Sequence, residues 1–159
     1  MDKKVLSHLQ AQCARREYCT NDIRAKALKA LGGDEAGAEE IVDSLISDGY
    51  LCDSRYAEAF AREKSEISGW GPVKISYALA VKGISREIIS ASTAAVDKDK
   101  ASDKLDKLLA HKVRALKGDP QWKLKAIRFA LGRGYEYSSI AETLAKLDIG
   151  ELRADDQTL

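Results

Sequence analysis

Glycine and proline divide this chain into short helical segments, and the division is sharpest at Gly69-Trp70-Gly71-Pro72. Glycine ends a helix because it adopts turn conformations that other residues resist. Proline suits the first helical position, where its missing N–H costs nothing. Before this turn, Asp53 is placed to cap a helix whose apolar face is Tyr56, Ala57, Phe60 and Ala61. After it, Ile75, Ala78 and Leu79 face inward on a second helix that Gly83 closes, and Ser85 caps a third carrying Ile88 and Ile89. The stretch 49–85 reads as helix, tight turn, helix, tight turn, helix.

The flanking sequence has the same grammar. Val5, Leu6, Leu9 and Cys13 mark a helix over 5–18. Thr20 is placed to cap the next, with Ile23, Ala27, Leu28 and Leu31 inward and Gly32-Gly33 as its stop. Asp34 starts a third helix with the stripe Ile41, Val42, Leu45 and Ile46, ended by Gly49. The charged passage 97–100 either interrupts the preceding helix or continues it, and a long helix then carries Ala101, Leu105, Leu108, Leu109, Lys112, Val113 and Leu116. Asp119-Pro120 reads as N-cap and first-turn proline of a helix with Ile127, Ala130 and Leu131 inward. The last helix holds Ile140, Leu144 and Leu147, with Ser139 and Glu142 in capping-box relation, and the polar tail 151–159 is expected to fray.

Ala27-Leu28, Ala78-Leu79 and Ala130-Leu131 each stand just before a glycine, at Gly32, Gly83 and Gly134. A layout repeated in this way predicts tandem modules. The expected fold is all-α, with three-helix modules at 1–49, 50–97 and 98–150 stacked into an elongated, curved array. Two prolines among 159 residues and no sustained alternation of β-branched with polar residues argue against sheet.

Cys13, Cys19 and Cys52 are odd in number and lack metal-ligand spacing, so neither disulfides nor zinc is expected. The chain has no apolar run of about 18 residues and no apolar export core near Met1, so a cytoplasmic protein without membrane contact is expected. No Walker loop or dinucleotide fingerprint is present, and His8 and His111 have no acid or cysteine at motif spacing. Neither catalysis nor a cofactor is expected. Residues 31–60 hold one basic against eight acidic residues, and residues 101–134 nine basic against three acidic. This segregation fits either solvated helix faces or two contact surfaces of opposite sign.

Gly49-Tyr50-Leu51-x-Asp53-x-Arg55-Tyr56-Ala57-x-x-Phe60, followed by Gly71-Pro72-x-Lys74-Ile75-x-x-x-Leu79-x-x-Lys82-Gly83-Ile84, resembles the central signature of the RecX family, bacterial regulators of the RecA recombinase. Ile127-Arg128-Phe129-Ala130-Leu131-x-Arg133-Gly134-Tyr135 looks like the family's C-terminal segment, and 25–33 like its N-terminal helix and stop. The resemblance covers about residues 15–147 and departs from the usual pattern at Cys52, a position that is commonly polar. It implies a protein that binds the RecA filament on single-stranded DNA and inhibits filament extension, ATP hydrolysis, strand exchange and co-protease activity; a monomer is expected, and weak direct DNA binding without the recombinase is left open.

The residues with the best claim to contact such a partner are the charged ones outside the caps: Arg62, Lys64, Lys74, Lys82, Arg86, Lys125, Arg128 and Arg133. Each alone also fits a solvated surface, and the fold is not expected to need Lys74, Lys82, Arg128 or Arg133. Trp70 either packs over its turn or stands out as an interface anchor. Arg55 is expected to pair with Asp53. Two other functions fit an all-helical chain. A direct nucleic-acid binder of helix-turn-helix type would use the helix after Pro72 for reading, but 73–82 contains no Asn or Gln and the sequence pI is about 7.7. A passive helical scaffold is the other.

Overall fold

The computed structural model describes the backbone of residues 1–157 and the side chains of residues 1–147. All regular structure among the described residues is helical: α1 (Lys3–Arg15), α2 (Thr20–Ala30), α3 (Glu35–Ser47), α4 (Asp53–Glu66), α5 (Pro72–Val81), α6 (Arg86–Ala94), α7 (Lys98–Ala115), α8 (Trp122–Gly132) and α9 (Tyr137–Gln157). They pack as two compact units, one of residues 1–60 and 78–94, the other of 61–77 and 95–159. The residues of α4 and of α5 are therefore divided between the units.

In the first unit, α1 starts where the Asp2 carboxylate accepts from the amides of Lys4 and Val5, and α3 where Asp34 accepts from Gly37. Leu9 and Cys13 of α1, Ile23 and Ala27 of α2, and Ala38, Ile41, Val42 and Leu45 of α3 then share a core that Leu51 closes. Burying an Ile or Leu side chain fully contributes about 1.5–3 kcal/mol, so these stripes are what orient the three helices. Ile46 departs from the expected stripe and is exposed, one step round the helix from Leu45.

The second unit packs Leu105 and Leu109 of α7, Ala126 and Ala130 of α8, and Ile140 and Leu144 of α9 around the buried ring of Tyr135. Asp97 interrupts the chain before α7 by accepting from the amides of Asp99 and Lys100. Two details of the expected helix starts are corrected here. Asp119 accepts from Gln121 in a turn, and α8 begins only at Trp122. α9 starts at Tyr137, so Ser139 lies inside the helix and forms no capping box with Glu142. The backbone of α9 also continues past Gly150 to Gln157, and the side chains of the tail 151–159 lie outside the described residues. Leu131, expected inward, is exposed on α8.

Cys13 and Cys19 are free and buried, and burial pushes both thiols above their ordinary pKa of 9.0. A folded-state pKa raised in this way stabilises the protein below that value, and the contribution is lost as pH rises through the folded pKa. The buried Tyr135 phenol is shifted in the same direction, upward from 10.0 by burial. Unfolding free energy is therefore expected to hold from pH 7 to about 9 and to fall above it, and denaturant titrations across that range measure it. Replacing Cys13, Cys19 and Cys52 together by Ala should remove the thiol part of that decline at a packing loss of about 1–3 kcal/mol. A pH profile unchanged by the replacement would contradict the assignment.

Candidate partner-binding surface

The turn 67–71 is built from α4 outward. Ile67 and Ser68 donate to the Glu63 carbonyl and Trp70 to the Lys64 carbonyl, which brings the indole back over the last turn of α4. There the Lys64 ammonium lies 4.8 Å and the Lys74 ammonium 4.3 Å from the ring centroid. Two cations on one indole are ordered by its negative faces, an attraction of about 0.5–1 kcal/mol each at an exposed site. Trp70 is thus half-buried and serves both as packing over the turn and as a seat for two lysines.

The turn is fastened to the segment that follows α8. The Gly71 amide donates to the Arg133 carbonyl at 2.8 Å and the Val73 amide to the Gly134 carbonyl at 3.0 Å. The Arg133 guanidinium donates back to the Ser68 carbonyl at 2.8 Å and lies over the Phe129 ring, which also carries the Lys112 ammonium. A Cβ on Gly71 would overlap the Gly134 carbonyl group and the Tyr135 amide nitrogen; one on Gly134 would lie 2.9 Å from Lys74 Cα and closer still to its Cβ and amide nitrogen. Glycine is required at both places because backbone meets backbone. Gly134 also sits at φ +90°, a conformation that L residues adopt only under strain.

Lys64, Lys74 and Arg133, of the eight residues singled out from the sequence, are brought together by this lock. Arg62 and Arg128 are exposed in the same unit with no ion pair among the described residues, and Arg86 is likewise exposed in the first unit. Lys125 is bound to Asp119 at 2.6 Å, which holds that carboxyl below its ordinary range.

Lys82 pairs with Asp22 at 3.0 Å, and this bond raises its pKa. Lys82 and Lys125 thus each have a carboxylate partner within the molecule, and Arg133 the Ser68 carbonyl. Both partners of Lys82 and Asp22 are about 40% exposed. Lys82→Ala should accordingly cost no more than about 1 kcal/mol, measurable by urea unfolding at low and high salt.

Two other expected roles change. Asp53 accepts from the Thr20 amide at 2.8 Å, so its carboxylate serves the first amide of α2, while the N-cap position of α2 is Cys19 rather than Thr20. Arg55 bonds Glu17 at 3.0 Å and the Gly49 carbonyl at 2.7 Å instead of pairing with Asp53. Asp53→Ala should lower stability by about 1–2 kcal/mol, the size of a lost helix cap, with Asp53→Asn recovering part of it in thermal melts. Sequence reasoning missed Lys112 and Phe129 as members of the cationic cluster, and Val73 and Tyr77 as exposed apolar residues on α5. For the latter a signal exists: residues 73 and 77 fall about 200° round a helix from 75 and 79.

A family model described as the second three-helix domain of RecX matches residues 53–92. The regulatory protein RecX of Chlorobium phaeobacteroides is 31% identical over 147 residues, spanning 92% of this chain and 95% of that protein. The chain belongs to the RecX family. The RecX of Clostridium tetani is 31% identical over 136 residues, covering 83% of this chain and 62% of its own length. The chain thus spans under two thirds of the clostridial RecX proteins it matches, with 56% for one from Clostridium botulinum. The crystal structure of RecX from Lactobacillus salivarius superposes with a TM-score of 0.81 at 21% identity, over 92% of this chain and 96% of that one, which shows the shared RecX fold. These relatives are named regulatory proteins rather than enzymes. No helix among the described residues is long and apolar enough to cross a membrane.

Proposed function

We propose that this RecX-family chain binds the RecA filament on single-stranded DNA and inhibits its recombinase, ATPase and co-protease activities, acting by binding and without chemistry of its own in the cytoplasm. The observation that carries the reading is the lock between the Gly-Trp-Gly-Pro turn and the Arg-Gly-Tyr segment. It joins the two stretches by which the sequence resembles the family and holds Lys64, Lys74 and Arg133 at one surface. The proposal takes the three-helix sets 1–49, 50–97 and 98–150 as its contact modules and a monomer as the binding species. A ligand that binds one filament state more tightly than another shifts the population toward that state by the difference in affinity, which suffices for inhibition.

Binding isotherms on free duplex, free single strand and recombinase filament test this. The filament is expected to bind far more tightly than either free nucleic acid. Equal affinity for free single strand and filament would instead favour a direct nucleic-acid binder with helix-turn-helix geometry.

A further inference from the structure

We infer that Val73 and Tyr77 on the outer side of α5, with the lysines seated on Trp70 and with Arg133, form the docking surface for an acidic, partly apolar face of a recombinase protomer. The inference rests on the filament-binding reading above and names the surface that carries it. Val73 is 56% and Tyr77 73% exposed, whereas Ile75 and Leu79 on the opposite side of the same helix are buried. Val73 and Tyr77 lie one helical turn apart, so they present a joined apolar strip.

Lys74 stands beside that strip with its ammonium on Trp70, and the Val73 amide is bonded to Gly134, next to Arg133. Neither Lys74 nor Arg133 reaches a carboxylate among the described residues. Their positive charge is left for an incoming anion. Both side chains are already ordered, Lys74 by the indole and Arg133 by the Ser68 carbonyl, so a partner carboxylate meets them at a reduced entropic cost. Tyrosine, tryptophan and arginine around a small apolar centre are the composition of protein-contact hot spots.

The same observations favour a protein over nucleic acid. A phosphate track needs cations at successive phosphates, and α5 offers a single lysine between Pro72 and Val81. Base stacking needs a free aromatic face, and the Trp70 ring is engaged by two ammonium groups. Val73 gives a phosphodiester nothing to bind, whereas it adds contact area against an aliphatic side chain.

The test compares wild type, the double variant Val73→Ala with Tyr77→Ala, and Tyr77→Phe. Anisotropy of a labelled single strand is read bare and as a recombinase filament, with thermal melts of each variant. Wild type should bind the filament, and the double variant should bind it about ten- to thirtyfold more weakly with an unchanged melt and unchanged binding to the bare strand. Tyr77→Phe should stay within about threefold of wild type. A double variant that melts lower hands the decision to Tyr77→Ala alone, read in the same way. Wild-type affinity in a folded variant overturns the surface and leaves the filament reading standing. A parallel loss on bare strand makes the ligand nucleic acid and overturns the inference, and absence of wild-type binding to the filament overturns both.

Discussion

Gly134→Ala is expected to destabilise the second unit by about 3–4 kcal/mol. A φ of +90° costs an L residue about 1–2 kcal/mol, and the added Cβ would meet the backbone of Lys74, which cannot swing aside as a long side chain can. Gly71→Ala should lose a similar amount by overlap alone, since its Cβ points at the Gly134 carbonyl. Two other glycines separate the causes. Gly118 also has a positive φ but open space around its missing Cβ, so Gly118→Ala should cost only the conformational part. Gly132 lies within α8 in open space, and Gly132→Ala should be neutral or stabilising by up to about 1 kcal/mol. Urea unfolding of the four variants gives this order directly. A Gly134→Ala no worse than Gly118→Ala would mean that the turn and the Arg-Gly-Tyr segment do not touch as described.

Charge reversal at Lys74 and Arg128 together is expected to weaken inhibition of the recombinase more than tenfold and to flatten its salt dependence. Two attractive charges become repulsive, and exposed interface charges act chiefly on association rate and on its screening. Stability should change little. Arg128 is exposed, and Lys74 loses a cation–π contact of about 0.5–1 kcal/mol on the Trp70 ring. Alanine at both positions should show the same trend at smaller size. Melting temperature and recombinase ATPase measured at two salt concentrations separate loss of contact from loss of fold, and unchanged inhibition by the folded double reversal would remove this surface from the mechanism.

Periodicity made the helices legible, because the stripes Leu9–Cys13, Ile41–Leu45 and Leu105–Leu109 each repeat at the spacing of a helix face and each is buried. It misled at the edges of stripes. Ile46 and Leu131 are apolar neighbours of core residues, and whether such a position is covered depends on how far the adjacent helix reaches, which no local pattern records. Asp53 shows the same limit for polar groups. A carboxylate at a helix start is a good acceptor for any free amide, and in the fold Thr20 supplies that amide from another helix.

The motif residues of the candidate surface were also legible one by one, but their meeting was not. Gly71 and Gly134 read as helix stops, and only the packed chain shows that each excludes a side chain for the sake of the other. Lys82 and Arg133 look in sequence like any exposed cation. Their tie to Asp22 and to the Ser68 carbonyl depends on residues about sixty positions away, beyond the reach of turn or helix rules.

The central claim is most directly tested by the rate of ATP hydrolysis by recombinase filaments on single-stranded DNA as this protein is titrated in, beside the protein alone with ATP. The account predicts that filament hydrolysis falls to a low plateau with increasing protein while the protein alone hydrolyses nothing. A filament rate unchanged by an excess of folded protein, or ATP turnover by the pure protein, would contradict it.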